Sequence, residues 1–330
     1  MSDEFTALVA EERDGQTTAS VQSVPHDRLP EGDVLVRVAY SSLNYKDALA
    51  LTGKGKIIRS FPMVPGIDFS GTVEVSNSPA FHPGDEVVLT GWGVGERHWG
   101  GFAQMARVRS DWLVPLPPGL TLQQAMGIGT AGFTAMLSVM ALEDAGLRTG
   151  GREVVVTGAT GGVGSIAVAL LAKLGYDVVA VTGKAEAADY LHGLGARQIV
   201  GREEVQPAGG PLASERWAGA VDTVGGDTLA GVIRALARAG AVAACGNAGG
   251  AALTTTVLPF ILRGVSLLGI DSVMCPQGRR RRAWQRLSAD LPREALERAT
   301  RVIPLGDVLA ASDDLLSGRS HGRTVVDVNA

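Results

Sequence analysis

The sequence predicts an α/β protein of two domains: a small β-barrel or sandwich, then a doubly wound parallel sheet. Three observations carry this. Up to residue 122, short strand-like runs alternate with turn signals, and no long helical pattern intervenes. After residue 150 the pattern switches to strand and helix in alternation, the mark of a parallel sheet. Where the first of those strands meets the first helix, residues 153–164 read Glu-Val-Val-Val-Thr-Gly-Ala-Thr-Gly-Gly-Val-Gly, an apolar run ending in a glycine-dense turn.

The elements follow in order. A strand over 34–40 comes after the turn Pro30-Glu31-Gly32-Asp33; others are expected at 71–75, at 86–90 after Pro83-Gly84-Asp85, and at 102–108. Pro115-Leu116-Pro117-Pro118-Gly119 ends the first domain, because prolines there forbid a continuing helix or central strand. Residues 121–145 are mostly helical. Strand 154–156 then leads into a helix with Val163, Ile166, Ala167, Leu170, Leu171 and Leu174 on its apolar positions, followed by Gly175 and a strand at 177–181. Further strands fall at 198–200, 220–222, 241–244 and 266–270, a helix at 280–291, and a closing strand at 323–328. The domain limits are 1–122 and 123–265, with 266–330 returning to the first domain.

A strand, glycine loop, helix and second strand of this length make a dinucleotide-binding unit. Gly161 lets the backbone approach a pyrophosphate, and the amides of Thr160, Gly161, Gly162 and Val163 at the helix start face its charge. Gly164 lets the helix pack on the strand, while Ala159 stands where the motif has its first glycine. The ribose is read about twenty residues on, where a carboxylate holds the 2′-hydroxyl and repels a 2′-phosphate. Here the second strand ends in Thr182-Gly183-Lys184, a hydroxyl and a cation, and Arg202 offers another cation after the third strand. The pattern favours NADPH over NADH, with Lys184 as a merely solvated helix-start residue the alternative.

The 330 residues are 45% apolar and 19% charged, an ordinary balance for a chain with buried cores. A net charge of −4 gives no reason to expect nucleic acid. No apolar run of membrane-spanning length stands out, and the first thirty residues carry acids without a signal-peptide core, so neither a membrane nor export is expected and the location reads as cytoplasmic. Cys245 and Cys275 are too few for a disulfide framework or a four-cysteine zinc site.

The order of domains, together with Gly66-Ile67-Asp68-Phe69-Ser70-Gly71, Pro83-Gly84-Asp85-Glu86-Val87 and the 159–164 loop, resembles the medium-chain dehydrogenase/reductase superfamily from end to end. Ser41-Ser42-Leu43-Asn44-Tyr45-Lys46-Asp47-Ala48-Leu49, residues 52–59, Thr90-Gly91-Trp92-Gly93-Val94-Gly95-Glu96, residues 217–225 and Asp271-Ser272-Val273-Met274 narrow it. These strings are similar to the zinc-free, quinone oxidoreductase-like branch that holds the NADPH-dependent acryloyl-CoA reductases. The resemblance implies a GroES-like catalytic domain and a Rossmann cofactor domain. It also puts Asn44, Ile67 and Gly127 at the Cys, His and Cys positions of the zinc members, and none of these is a thiolate, imidazole or carboxylate. No metal is expected. Without a Lewis acid, reduction of an activated C=C bond replaces alcohol oxidation as the natural chemistry.

Asn44-Tyr45-Lys46-Asp47 sits where the superfamily places its reacting centre. Tyr45 is the candidate to pack on the nicotinamide or to supply a proton or hydrogen bond to a developing enolate, or it only shapes the pocket, with water the alternative acid. Asn44 orients its neighbours, and Lys46 with Asp47 forms an internal ion pair or takes part directly. Lys54, Lys56 and Arg59 form one basic cluster for coenzyme A phosphates and Arg279 to Arg282 another, each also readable as a solvated face. Asn247, Ile261, Ser272 and either Arg319 or Arg323 reach the cofactor by resemblance alone. The resemblance implies NADPH-dependent conversion of acryloyl-CoA to propionyl-CoA, by hydride transfer to the β-carbon and protonation of the α-carbon, in a homodimer. A quinone reductase and a non-catalytic NADPH-binding redox sensor are the alternatives.

Overall fold

Val154, Val155 and Val156 are buried on both faces, which is possible only in the middle of a sheet covered by helices on either side. The computed structural model, which describes residues 3–206 and 209–330, builds that sheet from six parallel strands. Their spatial order is Gln198–Val200, Val178–Val181, Val154–Val156, Trp217–Asp222, Leu236–Ala244 and Ser266–Gly269. Numbered along the chain, that order is 3-2-1-4-5-6, the doubly wound dinucleotide-binding topology. The order reverses between Val154–Val156 and Trp217–Asp222, so the loops leaving these two strands flank the position where such sheets bind nucleotides. Val155, Val179, Val181, Trp217, Ile233 and Val242 form the core against helices that include Gly226–Ala235.

This sheet belongs to a unit of residues 131–271 and 289–296. The other unit holds the chain up to Thr130, Ser272–Ser288 and Glu297–Ala330. The first break lies at Thr130 rather than at 122, because the long helix Leu122–Asp144 is interrupted at Gly129, whose φ is 51° and ψ −159°. That helix also corrects the sequence expectation about apolar runs: by length and composition it could cross a membrane, but 94% of its apolar window is buried within the fold.

The first unit carries a seven-stranded, largely antiparallel sheet. Val34–Leu43 is its axis. One side pairs with Asp68–Ser76; on the other, Val34–Arg37 pairs with Met105–Val108, and Tyr40–Leu43 pairs with the returning strand Arg323–Asp327. The register sets Thr324 opposite Leu43, which puts Arg323 beside the end of the strand that leads into Asn44. A hairpin of Glu4–Arg13 and Gln16–Pro25 turns at Asp14 and Gly15, with φ of 53° and 75°. The Asp-Gly pair signals such a turn, yet the sequence reading placed no strand there.

Candidate active site

Within the six-stranded unit, the chain leaves Val156 through Thr157 and Gly158 before Gly161 caps the helix Gly162–Lys173. Gly158 has φ of 58°, so it supplies the tight turn that the sequence motif assigned to position 159, and the wholly buried Ala159 only packs. A side chain at 164 would put its Cβ 2.8 Å from the Ala159 Cα, so only glycine lets the helix lie this close to the loop. At Gly161 a Cβ would press on the Gly158 carbonyl at 3.3 Å, so a side chain there would crowd the loop. The first-turn amides of Gly162–Lys173 have no partners within the helix, which suits an anion. Thr157 Oγ1 donates to Asp222 Oδ1 at 2.6 Å, and Thr223 Oγ1 donates to the Thr157 carbonyl at 3.0 Å, locking the two loops of the switch point together.

Residues 182–184 and Arg202 also come together. Thr182 Oγ1 accepts the Lys184 amide at 3.1 Å, and a Cβ on Gly183 would lie 2.7 Å from Arg202 Nε. Thr182, Gly183, Lys184 and Arg202 therefore share one site, with the guanidinium against the Gly183 backbone. Asn247 is exposed after Leu236–Ala244, with its Cα against the Gly225 position, and Ile261 lies 69% exposed on the short helix Leu258–Arg263.

The other unit holds a buried polar cluster that sequence reasoning largely missed. Asp68 is fully buried: Oδ1 accepts the Ser42 amide (3.1 Å) and Ser42 Oγ (2.7 Å), and Oδ2 accepts Asn44 Nδ2 (3.0 Å) and the Thr130 amide (2.7 Å). Arg323, 3% exposed, closes the cluster by donating from Nη2 to Ser42 Oγ (2.6 Å), from Nη1 to Asn44 Oδ1 (3.2 Å) and from Nε to the Gly127 carbonyl (3.0 Å). The break at Gly129 frees that carbonyl and the Thr130 amide from the helical ladder. Asp47 lies at the edge, with its carboxylate accepting the amides of Asn44, Gly66 and Ile67. Burial first, and the neighbouring Asp68 second, push the Asp47 carboxyl up to about 7 against the pull of those amides. Burial pulls Arg323 down, opposed by Asp68 and Asp47.

Asn44 and Asp47 form a capping box at the start of Tyr45–Leu51, and Tyr45, the first helical residue, is 43% exposed. The expected Lys46–Asp47 ion pair is replaced by Lys46–Glu96 at 2.9 Å, since adjacent helical residues point in different directions. The Arg59 amide donates to the Glu96 carbonyl at 2.9 Å, which ties the basic segment to the same loop. Lys54, Lys56 and Arg59 are all exposed.

Arg280, in the second basic cluster, is wholly buried. Its Nη1 donates to Thr90 O (2.6 Å) and Oγ1 (2.7 Å), its Nη2 to the Ser272 and Val273 carbonyls, and it stacks 4.8 Å from the Trp92 ring centroid. It holds the chain and is closed to a phosphate. Ser272 is accordingly part of that clamp, and Arg319 pairs with Asp314 at 2.7 Å while remaining 64% exposed. Arg323, expected over the nucleotide, spends its guanidinium on Ser42, Asn44 and Gly127. Asp68 is the fully buried first residue of the strand Asp68–Ser76, and a buried charge demands partners.

Residues 30–118 match the alcohol dehydrogenase GroES-like domain family, and residues 162–289 match the zinc-binding dehydrogenase family. The acrylyl-CoA reductase AcuI of Ruegeria pomeroyi is 56% identical over 329 residues, which cover 99% of this chain and 100% of that protein. The structure of Escherichia coli K-12 YhdH with bound NADPH is 59% identical with a TM-score of 0.96, covering 98% of this chain and 100% of that one. Bacillus subtilis YhfP, solved with NAD bound, is 48% identical with a TM-score of 0.96, covering 99% and 100%.

The zinc named by the second family does not fit these residues. Asn44, Ile67 and Gly127 offer no thiolate or imidazole, the Asn44 amide is committed to Asp68 and Arg323, and Ile67 is buried and apolar. Among the described residues, no group of three or more His, Cys, Asp or Glu side chains could hold a metal ion. A guanidinium already lies among the three frame positions. The chain belongs to the medium-chain dehydrogenase/reductase superfamily, in its acryloyl-CoA reductase family.

Proposed function

We propose that the chain reduces acryloyl-CoA to propionyl-CoA with NADPH and without a metal. The observation that carries this is the match to an acrylyl-CoA reductase over the full length of both chains. The glycine geometry at 158, 161 and 164 suits a pyrophosphate, and a site of Thr182, Lys184 and Arg202 with no acid at the strand end suits a 2′-phosphate. Thr160, Gly161, Gly162 and Val163 would hold the pyrophosphate, with Asn247 and Ile261 as further contacts. Bound NADPH supplies the hydride that reaches the β-carbon.

The enolate then takes a proton at its α-carbon from solvent, which completes propionyl-CoA, while the chain's own residues steady the charge and hold the substrate. Tyr45 Oη donates to the thioester oxygen as enolate charge builds there, in the manner of an oxyanion donor. Asn44 and Asp47 fix its backbone through the capping box, and Lys46 is held by Glu96. Lys54, Lys56 and Arg59 attract the phosphates of coenzyme A, far from the reacting bond. The second reading, quinone reduction, needs no such cations. Incubation of acryloyl-CoA with NADPH should yield propionyl-CoA, one molecule per NADPH oxidised, by mass spectrometry. Oxidation driven by a small quinone alone would favour the second reading.

A homodimer belongs to the same reading. Ser266–Gly269 ends the parallel sheet, and Val257 and Leu262, just before it in the chain, are 65% and 51% exposed. Two copies pairing these edges about a two-fold would continue the sheet and cover the apolar side chains. Sedimentation should give a dimer for the wild type and a monomer for Leu262→Glu. A cytoplasmic setting belongs to the same reading.

A further inference from the structure

We infer that the Arg323 guanidinium takes over the positioning work of the missing metal, as the fixed buried cation that ties Ser42, Asn44 and the Gly127 peptide into one rigid frame beneath Tyr45. Three observations support it. The guanidinium reaches two of the three frame positions, Asn44 through its side-chain oxygen and Gly127 through its carbonyl. It also shares Ser42 Oγ with Asp68, so the cation and the carboxylate grip the same hydroxyl from opposite sides. And the space is cut to its shape: a Cβ on Gly129 would fall 2.5 Å from Arg323 Nη2 and 2.6 Å from Ser42 Oγ, so the left-handed backbone at 129 is what makes room for the fork.

A planar fork with five donors suits this role where a lysine ammonium does not, because three acceptors in different directions must be met at once. Asn44 transmits the order: its Oδ1 is held by Arg323 and its Nδ2 by Asp68, while its amide is bonded to Asp47. The next residue is Tyr45. Arg323 is thus a positioning residue that acts through Asn44.

This rests on the acryloyl-CoA reading, which wild-type turnover tests by itself. The ratio of variant to wild type tests the inference on whichever substrate the wild type reduces. Arg323→Met should lower kcat about 10- to 100-fold, as loss of a partner that orients site ligands does elsewhere, with the NADPH dissociation constant unchanged by fluorescence titration. Arg323→Lys, which keeps the charge and loses the fork, should recover only part of that loss. Gly129→Ala, which keeps the arginine and displaces it, should lower kcat in the same direction. If the methionine variant does not fold, the lysine and alanine variants decide. Wild-type kcat in a folded Arg323→Lys or Gly129→Ala, with only the melting temperature lowered, would overturn the inference.

Discussion

Four single residues carry predictions of different kinds. Tyr45 stands partly in solvent at the start of a rigidly capped helix, so its hydroxyl is free to meet substrate, and Tyr45→Phe should lower kcat on the order of 10²-fold with NADPH affinity intact. Steady-state kinetics check this; unchanged kcat would reduce Tyr45 to shaping the pocket. Lys184→Ala and Arg202→Ala should each raise the NADPH Michaelis constant while leaving that for NADH nearly unchanged. A charged hydrogen bond is worth roughly 1.5–3 kcal/mol, about tenfold to a hundredfold. Asp47 makes a prediction about pH. Its carboxyl is raised from 3.8 to about 7, so between those values the native state keeps a proton that the unfolded chain has released. Its contribution to stability is then present below pH 3.8 and lost as pH rises towards 7. Melting temperatures from pH 4 to 7 should fall less steeply in Asp47→Asn than in the wild type; parallel slopes would show that Asp47 does not titrate there.

At the scale of elements, the glycine loop and its helix were legible because the motif is local. Strand, turn and helix all lie within residues 153–174, and their periodicities report burial directly. The loop still held a correction, since the tight turn is made at Gly158 and not at the motif's own position. Gly164→Val should detach the helix from the loop, because the new Cβ meets backbone 2.8 Å away that cannot yield. Lower NADPH affinity together with a lower melting temperature is expected. The cluster in the other unit was not legible, because it joins Ser42, Asp68, Gly127 and Arg323 across hundreds of positions, and no spacing along the chain encodes that meeting. Asn44 and Asp47 were picked out by resemblance, but the partners that give them their roles appear only once the returning strand Arg323–Asp327 pairs with Val34–Leu43. Arg280 teaches the same lesson: a run of arginines read as one basic patch contains one side chain turned wholly inward.

At the scale of the whole molecule, the proposed reaction draws on a nucleotide unit, a buried polar centre and an exposed basic segment. Full activity should survive dialysis against a strong chelator; stoichiometric zinc lost together with activity would contradict the reading of Asn44, Ile67 and Gly127. Changing Lys54, Lys56 and Arg59 together to glutamine should hurt acryloyl-CoA more than a short uncharged acryloyl thioester, and added salt should narrow that gap. The most direct test compares kcat/KM of the wild type, with NADPH, for acryloyl-CoA, for the short acryloyl thioester and for a small quinone. The account predicts acryloyl-CoA to be preferred over both by at least about tenfold, since remote charge-assisted contacts orient the alkene as well as bind it. Equal or better use of the quinone or of the truncated thioester would contradict it.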